Sequence, residues 1–136
     1  MKKPLSYHLL RLGLGVTFLW VGVMIFQNPE GWGAFIQPWA ARLMPVPLTL
    51  AMQSTAALDV AVGLLLLAGV FVWAAAALGA VHLVTVLVTV GVNTTTVRDI
   101  GLLAASLSLA FSVWPASFTW SRLRARLSPS TARRDG

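Results

Sequence analysis

The residue with the clearest chemical potential is Asp59, which lies inside an apolar stretch, residues 43–97, that contains no other Asp, Glu, Lys or Arg. A carboxyl group in such a setting is costly to remove from water, so it normally has a partner or a task. It can pair with a base, or give and take a proton during a reaction. The other members of the candidate intramembrane polar site are Gln53, His82, Arg98 and Asp99.

We expect Asp59 and Arg98 to be linked, directly or through one water, because a long arginine side chain can reach inward from a helix end. Asp99 would complement the positive end of the same helix. The link would serve either helix register or proton transfer, and both alternatives stay open at this point. Counting from Trp73 as an interfacial anchor places Asp59 roughly 21 Å and His82 roughly 13–14 Å from one face, so their direct contact would require helix tilt or a water.

The pattern of apolar segments predicts an all-α fold, an integral membrane four-helix bundle. Of 136 residues, 57% are hydrophobic and 10% are charged, and the mean hydropathy is +0.80. Soluble domains carry about 25% charged residues, whereas a helical crossing needs about 20 mainly apolar ones. The predicted transmembrane domain is 1–115, followed by a basic cytoplasmic tail, 116–136. The predicted crossings are 7–27, 47–72, 74–92 and 97–114.

A short interfacial amphipathic segment is predicted between the first and second helices. Its apolar residues Trp32, Phe35, Ile36 and Trp39 have helical spacing, interrupted near Pro38. These side chains would either anchor the bundle at the membrane surface or cover a bound ligand.

The positive charges are concentrated at the two ends of the chain. Only Arg42 and Arg98 fall in the two loops on the opposite side, while eight of the ten Lys and Arg residues lie near the termini. This bias predicts that both termini are cytoplasmic. The net charge of +6 is therefore interpreted as a preference for anionic lipid headgroups, with no nucleic-acid partner expected.

Several classes of chemistry are excluded or disfavoured. The chain has no cysteine, which excludes thiolate catalysis, disulfide exchange and cysteine-bound metal centres within it. His8 and His82 differ in predicted depth, which argues against haem held by two histidines. No metal site is predicted, and no cofactor is expected in the chain itself, although a bound quinone is compatible with the polar site.

Small residues at helical spacing predict close helix packing, since small side chains let helices approach in lipid. These stripes could also hold a second copy of the chain or a membrane partner protein. The predicted helix-packing residues are Gly15, Gly22, Ala57, Ala61, Gly101 and Ala105.

Three segments of the sequence resemble the DoxX family of small bacterial and archaeal membrane proteins. They are residues 11–22, with RLGLG and FLWVG; residues 59–69, with an acid followed by GLLLLAG; and residues 98–103, RDIGLL. The resemblance covers roughly residues 9–112 and implies a four-helix bundle in a bacterial or archaeal cytoplasmic membrane. Many members carry a lysine just after the first helix, where Phe26 and Gln27 stand here.

The resemblance implies no single reaction, since relatives include a quinone-reducing oxidoreductase subunit and members of oxidative-stress complexes. Two functional hypotheses follow. The chain is a non-catalytic subunit or scaffold of a membrane assembly, or it is a quinone- or small-molecule-binding subunit of a membrane oxidoreductase that uses Asp59. Catalysis by the chain alone is not expected, because it has no complete catalytic constellation.

Overall fold

The structure, a computed structural model, describes residues 3–115, and every regular element within that range is an α-helix. The prediction of an all-α membrane protein is confirmed. The predicted tail, 116–136, lies outside the described residues. The helices are α1 (Leu5–Gln27), α2 (Pro29–Gly33), α3 (Pro38–Leu43), α4 (Leu48–Ala68), α5 (Val72–Val90) and α6 (Val97–Ser112).

Three of these helices, α1, α4 and α5, are long and apolar enough to cross a membrane. The fourth long helix, α6, has 16 residues, fewer than the roughly 20 that a full crossing usually requires. A fourth crossing therefore stays a prediction. The short helices α2 and α3 lie in the segment where an interrupted amphipathic helix was predicted.

The long helices pack in two pairs, α1 with α4 and α5 with α6, and the pairs meet through α4 with α5 and α1 with α6. Glycines set the closeness of the first pair. A Cβ atom added at Gly63 would lie 2.6 Å from the backbone nitrogen of Leu19, and one added at Gly22 would lie 2.8 Å from the carbonyl oxygen of Ala56. Because the obstructing atoms are backbone, α1 and α4 depend on these glycines to approach so closely.

The turn between α4 and α5 comes earlier than predicted. α4 ends at Ala68, and Gly69 follows with φ 74°, the left-handed conformation that glycine adopts without a Cβ penalty. The Gly69 N–H donates to the carbonyls of Leu65 and Leu66, as in a glycine-terminated helix end. Trp73 accordingly lies in the first turn of α5 rather than in the connection.

The connection between α2 and α3 is attached to the end of α5 through Gln37. The Gln37 backbone N–H donates to the Thr89 carbonyl at 2.9 Å, and its side-chain amide donates to the Val90 carbonyl at 3.3 Å. Trp32 and Ile36 pack against a small apolar cluster formed by α1 and α4. The segment is thus held over one end of the long helices.

Arg11 caps the C-terminal end of α4 from the neighbouring helix. Its guanidinium Nη1 donates to the carbonyl of Leu66 and, at 2.9 Å, to that of Leu67. The last carbonyls of a helix lack partners within the helix and carry a partial negative charge, so a cation there is favourable. Arg11 therefore helps to hold α1 against α4 at the end opposite α2 and α3.

Replacing Arg11 with Ala is expected to lower the free energy of unfolding by about 1–2 kcal/mol, since it removes charged hydrogen bonds to helix-end carbonyls. Unfolding in mixed detergent micelles, followed by circular dichroism, measures this change. Arg42→Ala is the matched control, because Arg42 is exposed in the last turn of α3. Equal stability of the two variants would contradict the capping role.

Candidate functional site

The central polar feature is a contact between α4 and α5. The Nε2 atom of His82 lies 3.2 Å from Oδ1 of Asp59, and only 2% of the Asp59 surface is exposed. Although the two atoms are within ion-pair distance, Asp59 Oδ1 takes part in no hydrogen bond with the described residues. This buried carboxyl oxygen can therefore form a hydrogen bond with a further partner.

This contact corrects the predicted difference in depth. Asp59 lies ten residues before Gly69, and His82 lies ten residues after Val72, which begins α5. At a rise of 1.5 Å per residue, both side chains are therefore roughly 15 Å from the turn. Counting from Trp73 misplaced the turn by a few residues, and that error alone separated two residues that face each other.

The expected direct link between Asp59 and Arg98 is also corrected, because Arg98 pairs with Asp99 instead. Arg98 Nε lies 3.6 Å from Asp99 Oδ1, and 52% of the Arg98 side chain is exposed. The neighbouring carboxylate is available at the start of α6, so the guanidinium needs no desolvation to find a partner. The side chain of Asp99, in contrast, is largely buried.

A cavity of about 200 Å³ connects these groups. It lies between the two helix pairs, with Asp59 and His82 at its inner end and Arg98 and Asp99 nearer the α2–α3 segment. Most of its wall is apolar, and Trp32 contributes from α2. A mainly apolar pocket with a few convergent polar groups is the usual form of a small-molecule site. Other lining side chains are Phe18, Val21, Ile25, Met52, Leu83 and Val86.

Not every residue of the predicted polar site belongs to the cavity. Gln53 is exposed on α4 and is absent from the cavity wall. Trp20 and Trp39 are 69% and 48% exposed and also lie away from the wall. The cavity therefore brings together four of the five predicted polar residues.

The predicted packing residues divide into two groups. Gly15 and Gly22 lie in the contact between α1 and α4, and Ala105 packs partly buried against the main core. Ala57 and Ala61 are exposed on α4, and a Cβ atom at Gly101 would meet no atom within 4 Å. The second group is therefore not packed against the described part of the chain.

Sequence reasoning placed Thr85 and Thr89 outward from His82 on the same helix, but it missed the other threonines of the cavity and the glycine that shapes its inner end. Six threonines line the cavity: Thr17 on α1, and Thr55, Thr85, Thr89, Thr95 and Thr96 nearer the α2–α3 segment. A Cβ atom at Gly79 would lie 2.8 Å from the ring of Phe18, so this glycine makes room for that ring. The spacing of Thr85 and Thr89 on one helical face was the available signal.

The helices and the cavity define a small α-helical membrane protein with a polar site inside its membrane-spanning part. The DoxX family model matches residues 6–92, well over half of the chain, and the chain belongs to the DoxX family. The resembling segment at 98–103 lies outside the matched range. No curated protein and no solved structure matches the chain. Within residues 3–115, no three His, Asp or Glu side chains cluster as a metal would require.

Proposed function

We propose that the protein binds a small lipophilic ring compound of the quinone class in its cavity, as a subunit of a membrane oxidoreductase. The observation that carries this proposal is the combination of an apolar cavity with the buried Asp59–His82 pair at its inner end. Quinone carbonyl oxygens accept hydrogen bonds, and the His82 ring N–H and a protonated Asp59 can donate them. The aromatic and aliphatic walls suit the ring itself.

The size of the cavity limits the ligand. An apolar cavity of about 150 Å³ holds one benzene ring, so the space here, about 200 Å³, suits a single substituted ring. A long isoprenoid tail would have to leave the cavity towards lipid. A macrocycle such as haem is too large for this space.

The proposal concerns binding and proton exchange, and electron transfer is assigned to a partner. Conversion of a quinone to a quinol consumes two electrons and two protons, and this chain carries no thiol. Its residues can orient the ring and exchange protons with it at the Asp59 carboxyl group. A membrane-associated redox protein would supply the electrons.

Native mass spectrometry of protein extracted gently from its own membrane tests the proposal. We expect a lipophilic adduct with the mass of a quinone, displaced by an added short-chain benzoquinone. A chain that carries no such adduct and fails to bind the benzoquinone at saturation would contradict it.

A second function, assembly with other copies or a membrane partner, is favoured by the small residues exposed on α4 and α6. Ala57 and Ala61 are exposed, and a Cβ atom at Gly101 would meet no atom of the described residues within 4 Å. In lipid such faces favour close helix association. This is the scaffold role, and it is compatible with ligand binding by the same subunit.

Replacing Gly101 with Leu is expected to leave the isolated chain folded and to abolish its association, because the new side chain enters open space on its own chain but blocks a neighbouring helix. Crosslinking in native membranes, followed by gel electrophoresis, measures association. Ile100→Ala is the control on the adjacent exposed position. Unchanged crosslinking of Gly101→Leu would remove support for this face as an interface.

We also propose that the protein lies in the cytoplasmic membrane with both termini cytoplasmic. The support is the excess of Lys and Arg at the chain ends. In that orientation α2 and α3 face the outer side. Fusion of a reporter that is active only in the cytoplasm to the C-terminus would test it.

A further inference from the structure

The cavity occupies only one half of the long helices. On the long helices its lining residues fall within 17–25 on α1, 51–59 on α4, 82–90 on α5 and 98–102 on α6, and the segment between α1 and α4 adds Trp32, Phe35, Ile36 and Met44. Each of these ranges belongs to the half of its helix that is nearer α2 and α3. Asp59 and His82 are the innermost lining residues of α4 and α5.

The other half of the bundle is closely packed. Val62, Leu66 and Leu109 have no exposed surface, and Ala76 from α5 joins them in the main core. These side chains lie between the Asp59–His82 pair and the turn at 69–71. The close packing leaves no space for water there, although the buried Ser106 hydroxyl on α6 has no hydrogen-bond partner among the described residues.

Hydroxyl groups line the cavity on the side nearer α2 and α3. Thr55 lies one helical turn from Asp59, and Thr85 and Thr89 continue along α5 from His82. Thr95 and Thr96 follow at the connection to α6, beside Arg98 and Asp99. A site can hold ordered water only where polar partners exist, and here they extend from the buried pair to the end of the bundle.

We propose that the Asp59–His82 pair is accessible from one side of the membrane only, the side that carries α2 and α3. The route is the part of the cavity lined by Thr55, Thr85, Thr89, Thr95 and Thr96, which we call the half-passage. Protons and polar solutes reach the pair from that side, and the packed core closes the other. The ionisable groups that line the passage are Asp59, His82, Arg98 and Asp99; α1 contributes none to its wall. The inference rests on the proposed function only in taking this cavity as the binding site.

The absence of cysteine from the chain allows a direct test by single-cysteine labelling of the full-length protein in sealed vesicles of known orientation. Thr55→Cys is the reporter in the passage, with Thr89→Cys as a second reporter should the first fail to fold. Gln37→Cys and Val70→Cys mark the two sides of the membrane, since both residues are exposed, one beside α3 and the other in the turn. A charged methanethiosulfonate, which does not cross the membrane, is the probe.

We expect the reporters to lose their free thiol only when the probe is on the Gln37 side. Ser106→Cys is the near-isosteric control, because Ser106 is fully buried and does not line the cavity; it should keep its thiol from both sides. Reaction of the reporters from the Val70 side, from both sides or from neither would overturn the half-passage, as would reaction of the control.

The same preparation separates this inference from the proposed function. A short-chain benzoquinone should protect Thr55→Cys from the probe. One-sided labelling without protection would support the passage while counting against quinone binding. Protection combined with labelling from the Val70 side would support binding and overturn the passage.

Discussion

Asp59→Asn is expected to weaken the binding of a short-chain benzoquinone about two- to tenfold while leaving the helices folded. Asparagine matches aspartate in shape but replaces the carboxyl O–H with an amide N–H, a weaker donor, so the variant loses part of a hydrogen bond between neutral groups that is worth about 0.5–1.5 kcal/mol. The side chain forms no hydrogen bond through Oδ1 within the described residues. The substitution should therefore reduce the affinity for the quinone and not the stability of the fold. Equilibrium dialysis with a radiolabelled quinone measures the dissociation constant.

Glu30→Gln is the control for Asp59→Asn, because Glu30 is exposed on α2 and does not line the cavity. Its quinone affinity should equal that of the unmodified protein. If Asp59→Asn instead fails to fold, the Asp59–His82 contact is structural, the alternative that the sequence left open. If it folds and binds quinone normally, the pair has no part in recognition.

Gly63→Ala is expected to produce a large loss of stability from the addition of one methyl group. The added Cβ would lie 2.6 Å from the Leu19 nitrogen and 2.9 Å from the Gly15 carbonyl oxygen. Overpacking of a closely packed interior costs about 1–3 kcal/mol, and backbone atoms on both sides cannot move aside as a side chain can. The gain in helix propensity, about 1 kcal/mol, is too small to offset this.

Gly13→Ala provides the matched control, since a Cβ atom at that position would meet nothing within 4 Å. It receives the same propensity gain without the clash, so its unfolding free energy should stay equal or rise. Chemical unfolding of both variants in the same micelles measures the difference. Equal stabilities would mean that α1 and α4 can separate at little cost, contrary to the close packing described above.

The fold class could be predicted because hydropathy and length alone decide which segments must be helical in lipid. The bounds of the turn between α4 and α5 could not be predicted from hydropathy, since hydrophobic residues continue through the turn. Gly69 was the informative residue: a glycine at a helix end commonly adopts the left-handed conformation seen here. Using it instead of Trp73 would have placed Asp59 opposite His82.

The candidate site was only partly predictable for a related reason. Asp59 was identified because an acid in an apolar stretch needs a partner. Which residue faces it depends on helix register, and an error of a few residues in the position of the turn changes the predicted partner. The cavity has no sequence signature, because it arises from imperfect contact between two helix pairs. The role of Arg11 likewise depends on which carbonyls end α4 beside it.

Photolabelling with an azidoquinone in native membranes tests the central claim most directly. If the cavity holds the quinone ring, covalent adducts will map to residues 17–25 and 82–90, and an excess of unmodified benzoquinone will suppress them. Adducts confined to outward-facing residues such as Leu64 and Leu107, or adducts that the competitor leaves undiminished, would contradict it.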